Sequence, residues 1–315
     1  MRVFEKANFS FVENRTKGYI FSGVLIVLSL LSIGIRGLEL GIDFKGGMEF
    51  VVETQEELVV TSVREQLTGV LGQAPEVKTY ALAGQTAADD SHAMLVRTLA
   101  TGDINEVQDQ IVTGIDAAFP GAQPQVVKTD IVGPRFAEDL KAGAIYAVLG
   151  SLLVIFIYIL IRFEWRFGLG AVAALFHDVL ITLGLFSLLQ GLLPFSLQID
   201  QAIVAAFLTI VGYSLNDTVV IFDRIREFTN LFKTDPYENV VNRSVNTTLS
   251  RTIVTSGTTL LVVVTLFIFG GEVLQGFAFA LILGVLIGTY SSVFVAMPVV
   301  VELHQRLAPK PVRRR

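Results

Sequence analysis

Apolar and polar positions along the chain sort into six long apolar runs, joined by short polar connections and by one region of mixed texture. About 20 apolar residues suffice for a helix to cross roughly 30 Å of hydrocarbon. Runs of that order lie at 19–35, 142–161, 167–189, 202–222, 252–269 and 277–301, and each predicts a membrane helix. The charged turn "RFEWR" between the second and third is too short for anything but an antiparallel hairpin.

Residues 37–141, between the first two runs, read differently. "GIDFKGGMEFVVET" alternates as a strand with an embedded glycine pair, and "QEELVVTSVREQLTGVLG" has helical spacing. "PEVKTYALAG" and "HAMLVRTLA" read as two strands, "DINEVQDQIVTGIDAAF" as a second helix and "QPQVVKTDIVGP" as a last strand. The order β-α-β-β-α-β suits a small ferredoxin-like α+β domain. Thr54 and Asp103 precede the two helical patterns as candidate N-caps. The expected organisation is a tail over 1–18, a membrane helix over 19–36, an extracytoplasmic domain over 37–141 and a five-helix remainder over 142–301. That remainder includes a loop over 223–251, and a basic tail follows over 302–315.

Charge orients this layout. Lys and Arg near span ends are retained on the cytoplasmic side. They populate the amino-terminal tail, the "RFEWR" turn, the 223–251 segment and the carboxy-terminal tail, and are absent from 190–201 and 270–276. Both termini are therefore expected in the cytoplasm. The 37–141 region carries 17 acidic against 7 basic residues, in keeping with an outer location. Basic residues precede the first run, but "GIRGLEL" beyond it offers no small-residue cleavage site, so an uncleaved anchor is expected.

Composition agrees, with 52% hydrophobic and 17% charged residues. The chain has no cysteine, which excludes disulfides and thiolate metal sites. It lacks a phosphate-binding G-x-x-x-x-G-K-[ST] loop, an H-E-x-x-H helix and a G-x-S-x-G elbow. Nucleotide hydrolysis, metal catalysis and acyl transfer have no carrier here. Basic residues are dispersed along span ends, a pattern unlike a nucleic-acid surface.

The remaining chemistry lies inside the runs. Ionisable groups in hydrocarbon are costly and mark function or a buried pair. In the fourth run Thr209, Tyr213, Asn216 and Asp217 fall three and four apart and predict one helical stripe. The fifth offers Thr248, Arg251, Thr255 and Thr258 or Thr259 at similar spacing, with Ser256 beside them. Antiparallel packing brings Asp217 and Arg251 to similar depth, so an ion pair is available to them, either as a static bridge or as a movable one. In the third run His177 and Asp178 lie near the membrane midplane, as a satisfied interhelical contact or as a proton site. Gly284 and Gly288 predict a close helix contact, and the pair Gly46 and Gly47 after Asp43 a turn or tight backbone approach.

Taken together, "GIDFKGG", "VGP" at 132–134, "RFEWRFGLGAVAALFHDV", "GYSLNDTVVIFDRIRE", "LSRTIVTSGTTL" and "LIGTYSS" resemble the SecF family, the smaller subunits of bacterial SecD/SecF protein-export complexes in the resistance-nodulation-division superfamily. The resemblance runs from Gly41 into the last span. It implies six spans completed by six from a SecD partner, association with the SecYEG channel, an outer domain that grips unfolded preprotein, location in the bacterial cytoplasmic membrane, and the proton-motive force in place of any cofactor. It further implies a proton relay of Asp217, Arg251 and Thr255; Asn216, Tyr213, His177, Asp178 and Ser256 are expected beside it as supporting polar groups in the spans. The family motif at the start of the outer domain falls on Gly41, Asp43, Gly46 and Gly47. Two other functions fit the same residues: a proton-coupled exporter of small molecules or lipids, and a non-transporting scaffold of a translocon.

Overall fold

A computed structural model describes residues 8–80, 92–99, 102–193 and 195–307. The basic residues at 310–315, and the strand residues expected at 81–84, lie outside the described residues. Six helices are long and apolar enough to cross a membrane. They are α1 (Arg15–Arg36), α5 (Pro134–Arg162), α6 (Trp165–Leu189), α7 (Gln201–Leu231), α8 (Tyr237–Phe269) and a last span made of α9 (Glu272–Ser291), a π-helical turn (Ser292–Ala296) and α10 (Met297–Leu307). In chain order a small sheet domain follows α1: α2 (Ile42–Lys45), β1 (Gly47–Thr54), α3 (Val60–Leu71), β2 (Glu76–Tyr80), β3 (His92–Thr98), α4 (Ile104–Ala118) and β4 (Gln125–Val132). The chain is a multi-pass membrane protein.

All strand pairs in the sheet are antiparallel, in the order β2-β3-β1-β4. Period-two alternation sends Phe50, Val52, Met94 and Val96 to one face. There they pack on Val63 and Leu67 of α3 and on Val107, Ile111 and Ile115 of α4. Asp103 caps α4, its carboxylate accepting the Asn105 N–H at 2.8 Å. Thr54 caps nothing. It ends β1, its hydroxyl within reach of the carbonyls of Glu56 and His92, and α3 starts six residues later. Residues Ile42–Lys45 form the short helix α2 where a strand was expected; Gly46 (φ +72°) ends it and turns the backbone into β1, whose first residue is Gly47 (φ +112°).

Several helices overrun their apolar runs, because hydropathy measures the bilayer and not the length of a helix. Pro134 occupies the first helical position after Gly133, a favoured start, so α5 begins at 134 and not 142. The stretch 223–251 is not a loop: α7 continues to Leu231, α8 starts at Tyr237, and only 232–236 turns, ending on Pro236 at the N-cap of α8. Likewise residues 302–307, expected as tail, are helical.

The interior is built from α6, α7 and the last span, whereas α5 and α8 turn most of their apolar surface outward. Glycines set the closest approaches. A Cβ on Gly284 would lie 2.2 Å from Ile210, and one on Gly288 2.9 Å from Ser214, so α9 packs tightly on α7. A Cβ on Gly184 of α6 would meet Ser29 of α1 at 2.1 Å.

Candidate functional site in the membrane helices

The buried stripe of α7 runs Ile203, Phe207, Ile210, Ser214, Asp217, Ile221, at steps of three and four. Asp217 thus sits on the most apolar face of its helix and is 3% exposed. Asn216 and Thr209, expected on the same stripe, point outward, and Thr209 donates to the carbonyl of Ala205. Tyr213 is half-buried, and its hydroxyl is buried without a hydrogen-bond partner among the described residues.

Across from Asp217, the buried stripe of α8 is Ser244, Thr248, Thr252 and Ser256. This is one residue, about 100°, away from the stripe of Arg251 and Thr255 read from the sequence. Ser256 donates its hydroxyl to Asp217 Oδ2 at 3.1 Å, and Thr289 of α9 donates to Ser256 Oγ at 2.8 Å. Carboxylate, serine and threonine thus link three helices. Arg251 is exposed, and no ion pair within 4 Å joins it to Asp217 among the described residues. The expected contact is not made in this arrangement. Thr255 bonds back to the carbonyls of Arg251 and Thr252, and takes no part.

A second polar cluster lies deeper in the bundle. Asp178 of α6 is fully buried and His177 is 3% exposed. Their contact, His177 Nδ1 to Asp178 Oδ1, measures 2.9 Å. Asp178 Oδ2 accepts the hydroxyls of Ser214 at 2.6 Å and Ser291 at 2.8 Å. On the other side His177 Nε2 meets Ser22 Oγ of α1 at 3.0 Å, which in turn meets Tyr290 Oη at 3.1 Å. Sequence reading found the two ionisable groups and missed the hydroxyls. The available signal was the periodic placement of Ser22, Ser29 and Ser32 in α1 and of Ser214 on the apolar stripe of α7.

The glycine-rich motif forms a joint between the sheet domain and α7. Asp43 Oδ2 accepts the backbone N–H of Gln201, first residue of α7, at 2.9 Å, and Asp200 caps the same helix through Ile203 N–H at 2.8 Å. The Gly41 N–H donates to Ile199 O at 2.8 Å, where a Cβ on Gly41 would lie 3.1 Å from Asp200. Gly47 passes so close to β3 that a Cβ would come within 2.6 Å of Thr98 O. Arg97, 4% exposed on the sheet face opposite α3 and α4, pairs with Glu49 and donates to Gln198 Oε1 at 2.7 Å. Lys78 pairs with Glu39, which also accepts from Gln198 at 2.7 Å.

Residues 115–306 match the family described as protein export membrane protein SecD/SecF, C-terminal, and residues 31–57 match the SecD/SecF GG motif. A protein translocase subunit SecF from Rhodothermus marinus is 70% identical over 310 residues, covering 98% of both chains. The chain belongs to the SecF family. Another relative, the SecF subunit of Desulfurispirillum indicum, is 43% identical over 91% of this chain and 88% of its own length. Among solved structures, the SecDF of Thermus thermophilus, described as a translocon-associated membrane protein, superimposes with a TM-score of 0.82 at 34% identity. The match covers 97% of this chain but 40% of that one. The match to a SecDF structure in a super-membrane-facing form has a TM-score of 0.67 at 32% identity, over 96% of this chain.

Proposed function

We propose that this SecF-family chain is a membrane subunit of the Sec protein translocase, and that it uses the proton-motive force to promote late steps of preprotein export. It carries out transport, not bond chemistry, and needs no cofactor. Its setting is the bacterial cytoplasmic membrane, with both termini in the cytoplasm and the sheet domain outside, paired with SecD and working at SecYEG on unfolded preprotein. The antiparallel order β2-β3-β1-β4 supports a ferredoxin-like outer domain.

The observation that carries this reading is Asp217, a carboxyl group buried on the apolar stripe of a membrane helix and held by Ser256 without a counter-ion in contact. A static salt bridge, the premise of the scaffold reading, is not formed. An approaching guanidinium favours the carboxylate and its withdrawal favours the acid, while arginine itself stays charged. Movement of Arg251 relative to α7 therefore loads or unloads a proton. Each elementary charge crossing 100 mV releases about 2.3 kcal/mol, enough to bias a two-state helix bundle about fiftyfold. Asp43 then couples α7, and Arg97 the segment leading into it, to the sheet domain. Vesicles holding the complete translocase test this: Asp217→Asn should abolish proton flux and the proton-dependent part of export, and persistence of both refutes the relay.

A further inference from the structure

The relay leaves unused the most deeply buried ionisable pair of the bundle, His177 and Asp178, and its hydrogen bonds fix its proton content. Tyr290 Oη donates its one hydrogen to the carbonyl of Gly18 at 2.9 Å. The contact between Ser22 and Tyr290 is then made by the serine hydrogen, which leaves Ser22 Oγ to accept from His177. His177 Nε2 therefore carries a hydrogen. At the other end, Asp178 Oδ2 accepts from Ser214 at 2.6 Å and from Ser291 at 2.8 Å, the Ser291 hydroxyl lying closer to the carboxylate than to its other acceptor, the Gly288 carbonyl at 3.2 Å. The remaining contact, Nδ1 to Oδ1 at 2.9 Å, joins two atoms that both repel without a hydrogen between them. One proton must lie there. Whether drawn on nitrogen or on oxygen, the pair has no net charge.

We propose that His177 and Asp178 share a single proton as a net-neutral dyad, kept throughout the transport cycle, that positions α1 against the helices bearing Asp217 and its hydroxyl partners. Each neighbouring helix supplies one contact: Ser22 from α1, Ser214 from α7, Ser291 from α9. Tyr290 is the titratable group reached through Ser22, and Asp217 stands one helical turn beyond Ser214 on α7. Ser291 is two residues past Thr289, whose hydroxyl supports Ser256, and the π-helical turn begins directly after it. Interruptions of this kind recur at functional sites in helices. The helix thus clamped, α1, leads directly into the glycine motif of the sheet domain. Loss of the shared proton would leave a net charge in hydrocarbon and lone pairs opposed, so His177 would leave Ser22 and free α1.

This role differs from that of Asp217, and the same substitution separates the two. Asn at 178 keeps an acceptor for Ser214 and Ser291 and donates to Nδ1 in place of the shared proton. In the complete translocase in vesicles, Asp178→Asn should keep proton flux within about twofold of the parent, with an unchanged pH profile. Asp178→Ala strands three buried partners and should lower flux by at least about tenfold. Should the alanine variant not assemble, Ser22→Ala opens the clamp with little volume change and should slow flux severalfold. Nitrogen-15 spectra of labelled His177, in a His92→Gln, His304→Gln chain, should show a hydrogen on Nε2 and a hydrogen-bonded Nδ1 facing Asp178. Loss of flux in Asp178→Asn with the assembly intact, an Nε2 without its hydrogen, or full flux in both Asp178→Ala and Ser22→Ala overturns the proposal. The flux readout rests on the relay through Asp217. Asp217→Asn run in parallel separates a wrong dyad from a wrong relay, and the spectra are independent of both.

Discussion

The carboxylate of Asp43 accepts the backbone N–H of Gln201 at 2.9 Å, so the glycine motif of the sheet domain is fastened to the first residue of the helix that carries Asp217. A free N–H at a helix start is a standing cost that a capping carboxylate removes. Asp43→Ala should therefore destabilise the chain by about 0.5–2 kcal/mol, seen as a lower thermal midpoint, whereas Asp43→Asn retains the acceptor and most of the stability. If the joint transmits force, Asp43→Ala should uncouple export from proton flux, leaving flux near its parental rate. Equal losses of both in the variant argue that the contact is only a cap.

Gly47 is constrained twice, by φ of +112° and by Thr98 O, which a Cβ would approach to 2.6 Å. Gly47→Ala should cost about 1–3 kcal/mol from backbone strain alone, with β1 displaced from β3. Gly46→Ala, at φ +72° with its nearest neighbours at 3.2 Å, should cost less. Proteolytic sensitivity of the sheet domain ranks the two, and equal sensitivity would contradict the geometry.

How far the site could be read in advance depends on what each residue type signals. Long apolar runs placed all six spans, and Asp103 announced α4, because both signals are local. Thr54 misled because it stands as well at a strand end as at a helix start. In α8, Thr or Ser occupies so many successive positions from Thr247 to Thr259 that no face is distinguishable by polarity. The stripe facing Asp217 is decided by tertiary packing on α9. Hydroxyls are common in membrane helices, where they bond to their own backbone, so apart from the place of Ser214 on an apolar stripe, nothing in the sequence separates Ser214 and Ser291 from the rest. Only the structure shows that they converge on carboxylates.

Ser256, not Thr255, touches Asp217. Ser256→Ala removes a hydrogen bond to a buried acid, worth about 1.5–3 kcal/mol when the acceptor is charged, and should shift the pH dependence of proton flux. Thr255→Val removes a back-bond to its own helix and should change that profile far less. Flux against pH for the two variants decides between them, and a larger effect from Thr255 would place the acid's partner elsewhere.

Arg251 separates stability from function. It is exposed and makes no close ion pair with Asp217, so Arg251→Ala should alter stability by no more than about 0.5 kcal/mol. As the movable counter-ion it should nevertheless be required for flux. Exchanging the two charges, Asp217→Arg with Arg251→Asp, should preserve a simple bridge and abolish a relay. Unfolding midpoints and vesicle flux on the same samples test both halves, and recovery of flux in the exchanged chain would refute the relay.

The joint at the start of α7 should itself respond to pH. Burial pushes the Asp200 carboxyl up from the ordinary aspartate value, and the nearby charge of Asp43 adds to this, while the Ile203 N–H opposes it. An acid that holds its proton more tightly folded than unfolded stabilises the fold where both states are protonated or the folded state alone is. The advantage fades as pH rises from about 3.9, the unfolded value, through the raised folded value. Stability should therefore fall with rising pH across that window. Asp200→Asn keeps a good N-cap and has no charge to lose, so its midpoint should decline less over the same range. Thermal unfolding of parent and variant across the acid range measures the difference, and parallel curves would show that Asp200 ionises freely at the head of α7.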